Sequence, residues 1–177
     1  MKWSKNFILT VALLCYFNLL KAQRSAYKGS NMTQFNVGFS GAGIIGSFYY
    51  GHNFSQSIRG MAGGGMIFGN EADINYRGLF LDGFGAFSTY KAQSRQSVFN
   101  LNLLAGISFI GDFINDFQTD QFDKQFSLNY GGLAGIEMEF LAMKQAALSL
   151  SATQRYYIKE EFGHARYQVL AGVKYFF

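Results

Sequence analysis

The feature that most constrains this chain is an alternation of apolar and polar residues over segments of about ten residues, the length a tilted strand needs to cross a bilayer. In "FNLNLLAGISFI", Phe99, Leu103 and Phe109 share one parity and Asn100 and Ser108 the other. Successive residues of a β-strand point to opposite faces, so this pattern predicts strands with one apolar and one polar face. Such segments make about eight strands, near residues 34–40, 47–54, 58–68, 75–87, 99–110, 128–140, 147–157 and 165–177, several of them about ten residues long.

Composition separates the possible all-β folds. The chain has no proline, 21 glycines and 18% aromatic residues. Absence of proline suits a sheet in which nearly every backbone N–H donates to a neighbour, and many aromatic residues are typical of transmembrane barrels. A soluble lipocalin-like barrel is the main alternative, but polar faces that carry both Glu and Arg favour a polar interior. We therefore predict an all-β fold, an antiparallel transmembrane β-barrel of outer-membrane type with about eight strands, in contact with outer-membrane lipid.

The amino terminus has the layout of a secretory signal peptide. Lys2 and Lys5 precede an apolar run over 7–20, and Ala22 is a plausible cleavage point. We predict a cleaved signal over 1–22 and one barrel domain over 23–177, exported to the bacterial outer membrane. Cleavage would remove Cys15, the one cysteine, and leave 12 basic against 11 acidic residues. The remaining chain would have no disulfide and little net charge, so we predict no direct nucleic-acid binding.

Polar side chains on the late strands identify a candidate interior. We expect ion pairs there, because an eight-stranded barrel has room only for side chains inside. The candidates share the parity opposite to the apolar face: Glu137, Glu139, Arg155 and Arg166.

The segment "GDFINDFQTDQFDKQ" is predicted to be a long outer connection that mixes acids with aromatics. Exposed phenylalanines at this density need burial against something, so docking of a partner is the preferred interpretation. Calcium is the alternative, although the acids lack EF-hand spacing. The residues of this candidate partner loop are Asp112, Phe113, Asp116, Phe117, Asp120, Phe122 and Asp123.

The chain stops on an aromatic residue within a predicted strand. A barrel closes when its last strand pairs with its first, which gives the final residue a structural role. Gly172, Tyr175 and Phe177 also resemble the C-terminal signal read by the outer-membrane barrel-insertion machinery, which is the partner this resemblance implies.

Two motifs that could indicate an activity have simpler explanations. The G-x-G-x-x-G pattern at 41–46 is followed by aromatic, strand-like sequence rather than a helix, so it predicts a glycine hairpin and no nucleotide. His164, beside Glu160 and Glu161, is the one conceivable base of a lipid-modifying barrel enzyme. No serine is visibly paired with it, so we predict no catalytic site, no cofactor and no metal.

The C-terminal half resembles the conjugative-transposon protein TraO family of Bacteroidetes. The features that carry the resemblance are Gly131-Gly132 before Glu137, a turn at 141–145, Gln154-Arg155-Tyr156 and the closing "RYQVLAGVKYFF". The resemblance implies an outer-membrane component of a conjugative DNA-transfer apparatus, with a structural or assembly role and other transfer proteins as partners. The alternatives are a general small outer-membrane barrel (an adhesin or envelope-stability protein) and, third, a lipid-modifying enzyme.

Overall fold

The chain forms one closed antiparallel β-barrel of eight strands, as the alternation predicted. A computed structural model describes residues 29–71, 74–93, 98–116, 124–141, 143, 145–158 and 165–177. The predicted signal peptide, 1–22, lies outside these residues. The strands are β1 Asn31–Ser40, β2 Gly43–Asn53, β3 Ile58–Glu71, β4 Ile74–Gln93, β5 Val98–Asp116, β6 Lys124–Leu141, β7 Ala146–Tyr157 and β8 Ala165–Phe176.

Each strand pairs with its sequence neighbours, and β8 pairs with β1 to close the sheet. Phe177 takes part in this seam, because its N–H and C=O bond to the C=O and N–H of Asn31 at 3.0 and 2.9 Å. The register from Ser30, followed across β2 to β8, returns to β1 at Ser40, ten residues on. With about 3.3 Å per residue and about 4.8 Å between strands, this stagger tilts the strands by about 40°.

The two ends of the barrel differ in their connections. We call the end where β1 begins and β8 ends the proximal end, and the opposite end the distal end. Proximal connections occupy 54–57, 94–97 and 142–145, and distal ones occupy 41–42, 72–73, 117–123 and 158–164. The glycine hairpin predicted at 41–46 is confirmed: Gly41 and Ala42 form the turn, and Gly43 opens β2 with φ of 145°.

The predicted faces are also present. Large apolar side chains of every strand lie exposed on the outside, whereas the opposite parity is buried inside. The inward side carries buried polar and charged side chains together with apolar ones such as Ile45, Phe80 and Ile110. An apolar outer face around polar side chains is the arrangement of a bilayer-spanning barrel. No helix of the described segments is long and apolar enough to span a membrane.

The structure corrects the extent of the fifth connection. β5 continues to Asp116 and β6 begins at Lys124, so Asp112 and Phe113 are strand residues rather than loop residues. Asp112 is fully buried inside the barrel and cannot belong to an exposed docking loop. Phe113 lies on the outer face, and Asp116 is the last residue of β5. Phe117, Asp120, Phe122 and Asp123 lie outside the described residues.

Candidate functional site

The barrel interior holds three charged groups stacked along the axis. They are built by side chains of the inward parity on six of the eight strands. From the proximal end, we name them the proximal cluster (Arg59, Glu137, Glu139, Lys174), the middle pair (Asp82, Arg155) and the distal pair (Asp112, Arg166).

The proximal cluster is centred on the ammonium group of Lys174. Its Nζ lies 2.5 Å from Oε1 of Glu137 and 2.6 Å from Oε2 of Glu139. Arg59 Nη1 lies 2.9 Å from the same Glu139 oxygen and 3.9 Å from Glu137 Oε1. Two carboxylates of one strand are thus neutralised by two cations from β8 and β3.

Amide side chains complete the proximal cluster. Asn100 Nδ2 donates to Glu139 Oε1 at 3.0 Å, and Asn102 Nδ2 donates to Glu137 Oε1 at 3.1 Å. Gln34 Nε2 donates to Glu137 Oε2 at 3.2 Å. Buried charges are tolerable when paired and hydrogen-bonded, and both carboxylates meet that condition.

The middle pair joins opposite walls of the barrel. Arg155 on β7 contacts Asp82 on β4 through Nη2 to Oδ2 at 2.5 Å and Nε to Oδ1 at 3.3 Å. The hydroxyl of Tyr49 donates to Asp82 Oδ2 at 2.7 Å, and the Arg155 guanidinium lies 4.6 Å from the centre of the Phe80 ring. This forked pairing braces strands that share no backbone hydrogen bonds.

The distal pair repeats the forked geometry. Arg166 donates to both Asp112 oxygens, Nη2 to Oδ2 at 2.9 Å and Nη1 to Oδ1 at 3.1 Å. Tyr76 OH donates to Asp112 Oδ1 and accepts from Arg166 Nη1. The guanidinium also lies over the rings of Tyr76 and Tyr157, at 5.3 and 5.7 Å from their centres. The aromatic rings and the carboxylate thus surround the charge.

The described interior is electrically balanced and nearly full. Its four cations face four carboxylates, so it offers no net field to draw an ion through. A cavity of about 20 Å³ beside Arg155 and Thr153 has room for about one water molecule. Arg155 Nη1 and Thr153 Oγ1 have no protein partner there. Passage of a solute would therefore require side chains of the stack to move.

The structure places all four predicted interior residues inside the barrel: Glu137, Glu139, Arg155 and Arg166. Their pairing could not be read from the sequence, because the partners come from other strands. Lys174 shows the inward parity of β8, which was a usable signal. Asp82 lies in a segment with aromatics on both parities, and Asp112 was assigned to a loop.

The residues of the predicted C-terminal signal occupy two faces of β8. Tyr175 and Phe177 lie outside near the proximal end, with ring centres 6.3 Å apart. Gly172 faces inward, and a Cβ there would come within 2.0 Å of Asn36 Oδ1. Gly172 therefore leaves room for Asn36 in the barrel interior, independently of any recognition of β8 by the barrel-insertion machinery.

The outer face carries two groups of aromatic side chains, and the zone between them holds aliphatic and small residues together with Phe35 and Phe48. The proximal group is Tyr50, Phe54, Phe87, Tyr90, Tyr175 and Phe177, and the distal group is Phe39, Phe68, Phe109, Tyr130, Tyr156 and Tyr167. From the register and tilt, the groups lie roughly 20–25 Å apart along the axis. This is close to the apolar band of about 25 Å, flanked by aromatic girdles, of outer-membrane barrels.

The histidines and the possible metal ligands are further candidate functional groups. His52 Nδ1 lies 2.7 Å from Asn31 Oδ1 and its ring packs against Phe54, which is a structural environment. No group of three or more metal-ligating side chains occurs among the residues the structure describes. His164, Glu160 and Glu161 lie outside that set.

Solved structures with the same architecture exist. The N-terminal β-barrel domain of Pseudomonas aeruginosa OprF aligns over 85% of this chain and 98% of its own, with a TM-score of 0.63 and 11% identity. Neisserial surface protein A (NspA) aligns over 87% and 100%, with a TM-score of 0.60 and 16% identity. A major outer membrane protein from Thermus thermophilus aligns over 85% and 100%, with a TM-score of 0.63 and 11% identity. These likenesses establish the fold.

Neither a family model nor a curated protein matches this sequence.

Proposed function

We propose that this protein is a small outer-membrane barrel with a surface or envelope role, anchored in lipid by its outer face and closed to solutes. The observation that carries the proposal is the contrast between the two faces. An apolar band with aromatic groups at both ends surrounds an interior packed with neutralised ion pairs, other polar side chains and buried apolar side chains. In lipid, such a barrel would present its distal edge to a binding partner rather than conduct.

The resemblance in fold supports this assignment. NspA is a neisserial surface protein, and Ail of Yersinia pestis, an attachment invasion locus protein, aligns over 85% of this chain with a TM-score of 0.52 and 12% identity. A neisserial surface protein and an attachment invasion locus protein thus share this fold with the present chain. We assign this chain no catalytic step, and replacement of His164 with Ala should leave its role intact.

Two measurements test the proposal. The protein should fractionate with the outer membrane and migrate faster on a gel when unheated than when boiled, as compact barrels do. Purified protein in a planar bilayer should give no stable conductance steps, with an outer-membrane porin as the positive control. A soluble fraction in the first experiment, or regular open-channel steps in the second, would contradict it.

A role in conjugative DNA transfer is the second candidate. It rests on the resemblance of the C-terminal half, from about Phe99 onward, to the TraO family, and no contact among the described residues indicates DNA binding. Mating frequency from a donor that lacks the gene, with a restored copy as control, tests it. A rescued drop of several orders of magnitude would support transfer, and unchanged transfer would leave the barrel standing and remove this candidate.

A further inference from the structure

The outer face of the barrel carries one unusual side chain. Among the described side chains on the outside of the strands, Arg77 is the only arginine, lysine, aspartate or glutamate. It is exposed, and it makes no hydrogen bond or ion pair with any other described residue. A cation at an otherwise apolar surface needs an anion or water at its level.

The level of Arg77 along the barrel axis favours an anion as its partner. Arg77 is the fourth residue of β4 from the distal end, directly opposite Phe68 on β3 and Phe113 on β5. The tilt of the strands puts it roughly 6 Å beyond Tyr156 along the axis, among the outermost aromatic side chains, since Phe113 and Phe126 lie roughly 3 and 6 Å farther out. In a bilayer, that is the level of the lipid head groups rather than of the acyl chains.

The apolar surface continues past Arg77 on the next two strands. Phe113 lies opposite Phe126 on β6, and their ring centres are 4.9 Å apart. The Phe126 ring leans over Gly111, where an added Cβ would meet Phe126 Cε2 at 3.0 Å. Leu79 and Leu128 flank Gly111 on the two neighbouring strands and are both exposed. The result is an apolar surface that joins the lipid-facing band below and Arg77 at its edge.

We propose that this surface, which we call the Arg77 site (Phe68, Arg77, Phe113, Phe126), holds the phosphate head group of a lipid in the leaflet at the distal end of the barrel. The guanidinium donates to phosphate oxygens, with a fork geometry that matches them. The acyl chains of the same lipid lie along Leu79 and the band below. Charge complementarity selects the phosphate, and continuity with the band selects a lipid over a free anion. The inference rests on the proposed insertion of the barrel in the outer membrane.

The test compares lipids that differ only in phosphate. Purified full-length protein in uncharged detergent is titrated with dioleoyl phosphatidic acid or with dioleoylglycerol, and bound lipid is counted by native mass spectrometry. We expect phosphatidic acid to bind and dioleoylglycerol to bind at least tenfold more weakly. Arg77→Gln should weaken phosphatidic acid binding about tenfold, the loss of a charged hydrogen bond, and Arg77→Lys less than that.

A matched cation serves as the control. Lys91 lies opposite Asn100 at the proximal mouth, on the inward parity and away from the site. Lys91→Gln should leave phosphatidic acid binding unchanged, and glycerol 3-phosphate at millimolar concentration should not displace the lipid. Equal binding of the two lipids, or unchanged binding to Arg77→Gln, would overturn the proposal. Displacement by glycerol 3-phosphate alone would mean that a free phosphate is the ligand.

Failure of the inference can be told apart from failure of the proposed function. Arg77→Gln changes an exposed side chain, so its heat-dependent gel shift should match that of the wild type. A wild type that shows the shift but binds both lipids equally would reject the Arg77 site and leave the barrel assignment intact. A wild type without the shift would reject the assignment itself.

Discussion

The two faces of the same strands stabilise this protein in opposite ways. On β7, Leu150 and Tyr156 lie exposed outside, while Arg155 is buried between the walls. The outer residues need only be apolar, because lipid adapts to their shape. The inner residues need a specific partner at a specific distance, because a buried charge without one is costly. One strand can therefore tolerate many substitutions on one face and few on the other.

The largest effect should come from breaking a cross-barrel pair. Arg155→Met removes the cation that faces Asp82 and leaves a buried, uncompensated carboxylate. We expect a loss of about 3–5 kcal/mol in the free energy of unfolding, measured by urea titration of protein folded in phospholipid vesicles. The double variant Arg155→Met with Asp82→Leu should recover most of that loss. If the double variant is as unstable as the single one, the charge argument is wrong and packing alone explains the site.

A charge on the outer face tests the comparison from the other side. Leu150 lies near the middle of the band, so Leu150→Arg should cost about 2–4 kcal/mol in vesicles. Ile44, beside the distal turn, is the control, and Ile44→Arg should cost about 0–1 kcal/mol because it reaches the interface. The same urea titration measures both. Equal costs at the two positions would mean that the face does not lie in lipid at the proposed depth.

Glycine-to-alanine changes on the two faces compare how tightly each face is packed. Gly172→Ala places a Cβ against Asn36 Oδ1 and the backbone oxygen of Phe35, at 2.0 and 2.6 Å. We expect a loss of about 1–3 kcal/mol from overpacking. Gly132 faces outward, with no atom within 4 Å of an added Cβ, so Gly132→Ala should be neutral or slightly stabilising. A neutral Gly172→Ala would show that the interior relaxes more easily than its packing indicates.

The smallest expected effect is at the distal rim. Phe113 and Phe126 pack on each other outside the barrel, and a double-mutant cycle to Ala should give a coupling of about 0.5–1.5 kcal/mol. Neither single change should alter the gel shift of the unheated protein. A coupling near zero would mean that the rings meet lipid or a partner rather than each other.

Much of the fold could be predicted from the sequence because each step used a local property. The alternation at 99–110 and 165–177 predicted which residues face out, and the closing aromatic pointed to a structural last residue. The error at Asp112 has a local cause too. Aromatics and acids in "GDFINDF" suggested a loop. In the structure Asp112 is buried and Phe113 is exposed, so this part of β5 follows the same inside–outside alternation as the rest of the strand.

The sequence by itself determined that about eight strands form and which residues of the late strands face out or in, because the two faces follow from the period of two along each strand. Tertiary structure alone decided which charges meet. Asp82 and Arg155 are 73 residues apart and share no strand pairing; closure and a ten-residue stagger bring them together across the barrel. The same stagger sets Arg77 at the distal rim beside Phe113. The face that a residue occupies on its own strand depends on sequence spacing. Contact between side chains across the barrel depends on the circumference and tilt of the barrel, which the closed sheet fixes as a whole.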